Sequence, residues 1–210
     1  MSQSQNLSTA DIEKQIAGYM LHFDPAKDDE VEWRYQPPAF IPAFVELVEK
    51  LGCIPSQAEY VEHYVARHRD ALRSEFALKW TDVSVRNQKK RALIARLERA
   101  YPSFVRDFYL LALLRENDLA ADYDPAQDVQ GGVDLVVLHG KQKLQVHVYL
   151  DSPRSKQGRA KKDKRHTFAG QHLDIVLRPS ECKRVGKFWL PTSQHVQLVK
   201  RALGVDTDEH

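Results

Sequence analysis

The chain has 210 residues, 42% hydrophobic and 29% charged, which fits a folded globular protein of one extended domain or two small ones and excludes disordered, collagenous and coiled-coil compositions. Two cysteines, Cys53 and Cys182, exclude a disulfide framework and a cysteine-rich zinc site, and the lack of any run near the roughly twenty apolar residues that span a bilayer argues against membrane insertion. The net charge of +2 conceals a gradient: residues 1–70 hold 6 basic against 12 acidic side chains, residues 71–140 hold 10 of each, and residues 141–201 hold 15 against 4.

The start, MSQSQNLSTADIEK, carries neither a basic n-region nor an apolar h-region, so a cytoplasmic location without a leader is expected. Ile12, Ile16 and Tyr19 recur at helical spacing, and Phe44, Val45, Leu47, Val48 and Leu51 do so ahead of Gly52, with Pro37 and Pro38 between the two segments. Ser56 with Glu59 makes a capping box that opens a long polar helix. The helix pair around Gly52 has the outline of a helix-turn-helix, but its acidic flanks argue against DNA entering there and favour scaffold or partner docking. A basic amphipathic helix is predicted from Val85 to about Arg99, and Pro102 fits the first turn of a separate helix over SFVRDFYLLALLREN.

At Tyr123 the pattern turns to DYDPAQDVQGG, then to VDLVVLHGKQKLQVHVYL, which reads as a β-hairpin turning near His139 to Gln142. Leu144, Val146, Val148 and Leu150 alternate with Lys143, Gln145, His147 and Tyr149, giving one core face and one polar face. Pro153 opens a basic helix, HLDIVLRP reads as a buried strand, GKFWLP as a short edge strand, and SQHVQLVKRALG as a closing helix ended by Gly204. Arg154, Lys156, Arg159, Lys161, Lys162, Lys164 and Arg165 fall within twelve positions with Asp163 the one acid among them, a run that suits phosphate contact; a solvated face is its ordinary alternative. The expected organisation is an acidic helical part over residues 1–100 that can dock a protein partner, an α/β core over 101–204, and an acidic tail over 205–210.

From Pro102 onward the order helix, short strand, two strong strands, helix, strand, helix resembles the core of the PD-(D/E)XK nucleases, the restriction-endonuclease-like superfamily. The resemblance covers about half the chain. It implies an α+β fold in which a mixed sheet flanked by helices follows the helical first half, and a site where two acids bind Mg²⁺ or Mn²⁺ and a lysine of an acid-x-lysine triplet acts on water. Asp134 stands where the first acid would be, and Gln145-Val146-His147 occupies the triplet position, departing from the pattern at both ends. Phosphodiester hydrolysis needs anionic oxygens on the metal and a group that polarises water. Asp134 and Gln145 are therefore the expected metal ligands and His147 the expected base or ligand, with Asp128, Glu116 or Asp151 as candidates to complete the shell.

Against this stands the plainer reading that Gln145, His147 and Tyr149 form a solvated or packed strand face. Asp134, an acid inside an apolar strand, fits that reading less well. His63 and His68 share a helix face poorly, Gly131-Gly132 lacks the lysine and helix of a phosphate loop, and Trp33, Trp80 and Trp189 are scattered. Three functions are open at this point: nucleic-acid binding, chiefly of DNA, on a nuclease-like core with weak or no catalysis; an active metal-dependent endonuclease with an Asp/Gln/His site; and a protein-interaction subunit of a bacterial DNA-processing, mobile-element or defence complex.

Overall fold

The computed structural model describes residues 7–124, 132–153, 155–156 and 170–205. The first half is helical: α1 (Thr9–Ile16), α2 (Asp29–Trp33), α3 (Ile41–Leu51), α4 (Gln57–Arg67), α5 (Arg69–Lys79) and α6 (Val83–Arg115). A mixed sheet follows in the order β1 (Ala120–Asp122), β2 (Leu135–His139), β3 (Gln142–Leu150), β4 (Gln171–Leu177), with a separate hairpin of β5 (Lys183–Val185) and β6 (Phe188–Leu190) and a closing helix α7 (Ser193–Ala202). The β1, β2 and β3 strands run antiparallel in turn, and β4 lies parallel to β3.

The helix expected to break at Pro102 does not break. Val83–Arg115 is one helix with Pro102 inside it, so the boundary expected near residue 100 falls within a continuous element. A proline in a helix removes the amide that would bond the carbonyl four residues back, and an unsatisfied buried carbonyl is costly. Here that carbonyl belongs to Glu98, and the buried Gln57 side chain donates to it at 2.9 Å. The sequence cue at Pro102 was sound locally; a tertiary hydrogen bond overrides it.

The polar helix starting at Ser56 has the expected capping box but bends at His68, the last cap of α4 and the first of α5. Beyond the bend, Phe76 packs edge-on against Tyr35 at 5.5 Å and against Trp80 at 4.8 Å. The GKFWLP segment is not an edge strand of the main sheet. It supplies β6, which pairs with β5 and carries Phe188 and Leu190 into the core of the helical half. Gly186 at the hairpin turn has φ of 54°, and a Cβ there would lie 2.8 Å from the carbonyl oxygen of Ala17, so the approach of the hairpin to the end of α1 requires glycine.

Two apolar cores result, and α6 serves both. Its first part packs with α1, α3, α4 and α5 around Phe44, which contacts Tyr60, Tyr101, Phe104 and Phe108 at ring distances of 5.4 to 6.0 Å. Buried tyrosines complete this core by donating to loop carbonyls, Tyr101 to Pro55 at 2.6 Å and Tyr64 to Pro38 at 2.7 Å. The last turns of α6 supply Leu110, Leu111 and Leu114 to the second core, where one face of the sheet meets Val196 and Val199 of α7.

An acidic segment over residues 24–35 is fastened along the basic side of α6. Asp24 binds Arg91 at 2.7 Å, Lys89 bridges Asp28 and Glu30 at 2.8 and 2.7 Å, and Glu32 pairs with Arg99. Arg96 donates to the carbonyls of Val31 and Tyr35 at 2.6 and 3.2 Å. Much of the negative charge of the first seventy residues is thus neutralised inside the molecule.

Two expectations follow. Gln57→Leu leaves the Glu98 carbonyl buried without its donor and should lower stability by about 1–3 kcal/mol in denaturant titration. Adding Pro102→Ala, which supplies the helix amide that proline lacks, should recover much of that loss.

Stability should also fall in two stages as the pH is lowered. Burial holds His63, His68 and His195 below the ordinary value of 6.5, helped by Lys50 at His63 and by Arg67 at His68. The unfolded chain then takes up these protons first, so stability drops below about pH 6.5. The Arg91 bond lowers Asp24, the Lys89 bond lowers Glu30, and at Asp28 burial acts upward but is outweighed by Lys89; their contribution is present above about pH 4.5 and is lost below it, as pH falls through the folded values. His22, raised by its bond to Glu98, acts in the opposite sense and adds stability at low pH. Replacing His63 and His68 by Gln should flatten the first stage of the denaturation midpoint against pH.

Candidate functional site on the polar sheet face

The hairpin of β2 and β3 turns between His139 and Gln142, which face each other as the last pair of the ladder. Leu135 and Val137 of β2 and Leu144, Val146 and Val148 of β3 enter the core, so Gln145, His147 and Tyr149 lie on the opposite face, as alternation requires. In the parallel pairing with β4, Gln145 stands beside His172 and His147 beside Asp174. Ile175 and Leu177 of β4 take the core side, which places His172 and Asp174 on the same polar face. Asp134 immediately precedes β2 and shares the parity of Val136, the partner of Gln145. His147 and Asp174 are therefore register partners on the polar face of adjacent strands, and Asp134 stands just ahead of the strand on the other side of β3.

Asp134 is buried, and its carboxylate has a backbone task. Its Oδ2 accepts from the Val148 amide at 2.7 Å, and its own amide donates to the Val146 carbonyl at 3.1 Å. The carboxylate takes the place of a ladder carbonyl where β2 has ended and β3 continues. His147 is 1% exposed, and its Nδ1 lies 2.9 Å from the Gly132 carbonyl oxygen. Because a carbonyl only accepts, Nδ1 carries a proton and donates it to Gly132. The His147 and His172 rings sit 6.3 Å apart, edge to face.

Two of the acids proposed to complete the shell, Glu116 and Asp151, are engaged by other partners. Glu116 accepts from the amide and hydroxyl of Thr9, both at 2.7 Å, and so fastens α1 to the end of α6. Asp151 pairs with Lys156 at 2.7 Å and Arg178 at 3.7 Å, and the Lys156 bond holds its carboxyl below the ordinary range. Asp128 lies outside the described residues, as do Arg154, Arg159, Lys161, Lys162, Lys164 and Arg165 of the basic run; Lys156 is its described member. Among the described residues no three His, Cys, Asp or Glu side chains converge to hold a metal ion. The described donor set does not fit the two-acid magnesium site that the nuclease resemblance implies, since the one acid at the motif position already serves the backbone.

Sequence reasoning missed His172 and Asp174. HLDIVLRP reads as a buried strand, but only the parallel pairing with β3 makes these two the neighbours of Gln145 and His147. Comparison of the chain with protein-family models, with curated proteins and with solved structures finds no match. Among the described residues no helix is long and apolar enough to cross a membrane.

The backbone role of Asp134 has a measurable consequence. Asp134→Ala strands the Val148 amide and should cost about 1–3 kcal/mol, with faster hydrogen exchange at Val148, whereas Asp134→Asn retains an acceptor and should cost less.

Proposed function

We propose that this protein binds nucleic acid on a PD-(D/E)XK-like core that does not cleave efficiently. The observation that supports the reading is the strand order: a helix leads into three antiparallel strands, the connection 151–170 leads to a fourth strand parallel to the third, and Asp134 stands just before the second strand while Gln145 to His147 lie on the third. The element order along the chain is the one on which the nuclease resemblance rests. The 151–170 connection contains the densest basic run of the sequence, and cations concentrated in one connection favour a phosphate backbone as ligand. The engagement of Asp134 with the Val148 amide, together with glutamine and histidine in place of acid and lysine, supports binding without hydrolysis.

The test is a binding titration of the full chain with single-stranded and duplex DNA and RNA over a salt series, followed by cleavage assays in Mg²⁺ and Mn²⁺. Affinity should fall steeply with salt, by about tenfold or more for a few phosphate contacts. Lys161→Glu with Lys162→Glu and Arg165→Glu should weaken binding at least tenfold while leaving the denaturation midpoint within about 0.5 kcal/mol per site. Unchanged affinity in that variant sinks the binding role. Wild-type cleavage abolished by Asp134→Ala, but kept in a control of equal stability, replaces the non-cleaving reading with an active nuclease. Cleavage appearing only with Gln145→Glu and His147→Lys together supports a core that has lost catalysis.

A further inference from the structure

Between α4 and α6 the helical half carries an open groove of about 610 Å³. Met20, Val61, Val65, Ala66 and Ile94 form its apolar wall, and three of these side chains stand free of the core, Met20 at 81% exposure, Val65 at 36% and Ile94 at 37%. Clustered exposed apolar side chains around one concavity mark a contact surface. Its charged lining is the His22–Glu98 pair, joined at 2.9 Å, together with Glu62 on α4 and Arg69 at the first position of α5. Glu62 and Arg69 are exposed, and neither forms an ion pair among the described residues, although the acids along α6 on the same half of the molecule are paired.

We propose that this groove is the interface between two copies of the chain, related by a twofold axis that passes between Val65 and Ala66. A twofold interface needs a surface that complements itself. Residues 62 and 69 lie symmetrically about the midpoint of 65 and 66, so antiparallel packing of α4 and the start of α5 on the same segment of a second copy sets Glu62 of each copy opposite Arg69 of the other. The same operation puts Val65 against Ala66, whose small side chain permits close helix approach. Met20 and Ile94 of both copies then leave water at the flanks. A single operation removes the exposed apolar cluster and gives both charges a partner. The inference is independent of the nucleic-acid reading and draws on different residues.

Sedimentation equilibrium of the full chain over a concentration series tests it. The wild type should show a reversible monomer–dimer equilibrium, and Val65→Asp should weaken it by about tenfold or more, as a charge in a packed interface core does. Glu62→Arg and Arg69→Glu should each weaken self-association by about tenfold, because each sets like charges opposite one another twice. Mixed in equal amounts, these two variants should form a one-to-one dimer, since one then presents two arginines and the other two glutamates. Combining both substitutions in one chain should restore self-association. The mixing experiment also excludes misfolding as the cause of the single-variant losses. A wild type that stays monomeric throughout, a dimer indifferent to the single substitutions, or a mixture that fails to associate would overturn the proposal.

Discussion

Pro102 has no amide hydrogen, so the Glu98 carbonyl inside α6 must find a donor elsewhere, and the buried Gln57 amide supplies it from α4. The same Gln57 side chain accepts from the His22 amide at 2.6 Å, while the Glu98 carboxylate accepts from the Asp24 amide at 2.8 Å. One small polar network therefore joins the proline site, the start of the acidic segment and the α4 helix. With it in place, α6 stays unbroken for 33 residues and reaches from the aromatic core of the helical half into the sheet core. The position of the sheet relative to the helices depends on this continuity, since a break at Pro102 would release the rigid element common to both.

Charge in this molecule is organised by the fold more than by the block in which it occurs. Counted along the sequence, the first seventy residues look like an acidic docking surface and the 85–99 helix like a cationic one. In three dimensions these two oppose each other, with Asp24, Asp28, Glu30 and Glu32 set against Lys89, Arg91 and Arg99. The partly buried members of this array gain most from the pairing, because a charge removed from water without a partner is costly. A block count cannot foresee the cancellation, as it requires knowing that a short helix, Asp29–Trp33, folds back along α6.

The elements that sequence made legible are those whose signals are local. The Ser56–Glu59 capping box, the Gly52 end of α3, the hairpin turn at His139 to Gln142 and the alternation of β3 are all present. The features missed depend on distant partners: the continuity of α6 through Pro102, the bend at His68, and the pairing of β6 with β5 instead of the main sheet. The candidate site divides in the same way. Asp134, Gln145 and His147 were legible because a hairpin places them by counting, whereas His172 and Asp174 enter through a parallel pairing across a twenty-residue connection. The unusual burial of Asp134 was visible as an acid in an apolar run, but its partner, a backbone amide on the next strand, was not.

The route of the β5–β6 hairpin bears on how the chain can fold as it is made. Phe188 and Leu190 fill the core around Phe44 and Tyr101, and Lys183 binds Glu13 of α1 at 2.6 Å, so the helical half closes with residues that are translated after the whole sheet. At about 5–20 residues per second, the interval between synthesis of Tyr101 and Phe188 is roughly 4 to 17 seconds. Through that interval the aromatic pocket has emerged from the ribosome without its last two apolar side chains. The core of the N-terminal helices is therefore complete only once the hairpin has been made, and until then the nascent chain carries an apolar core without Phe188 and Leu190.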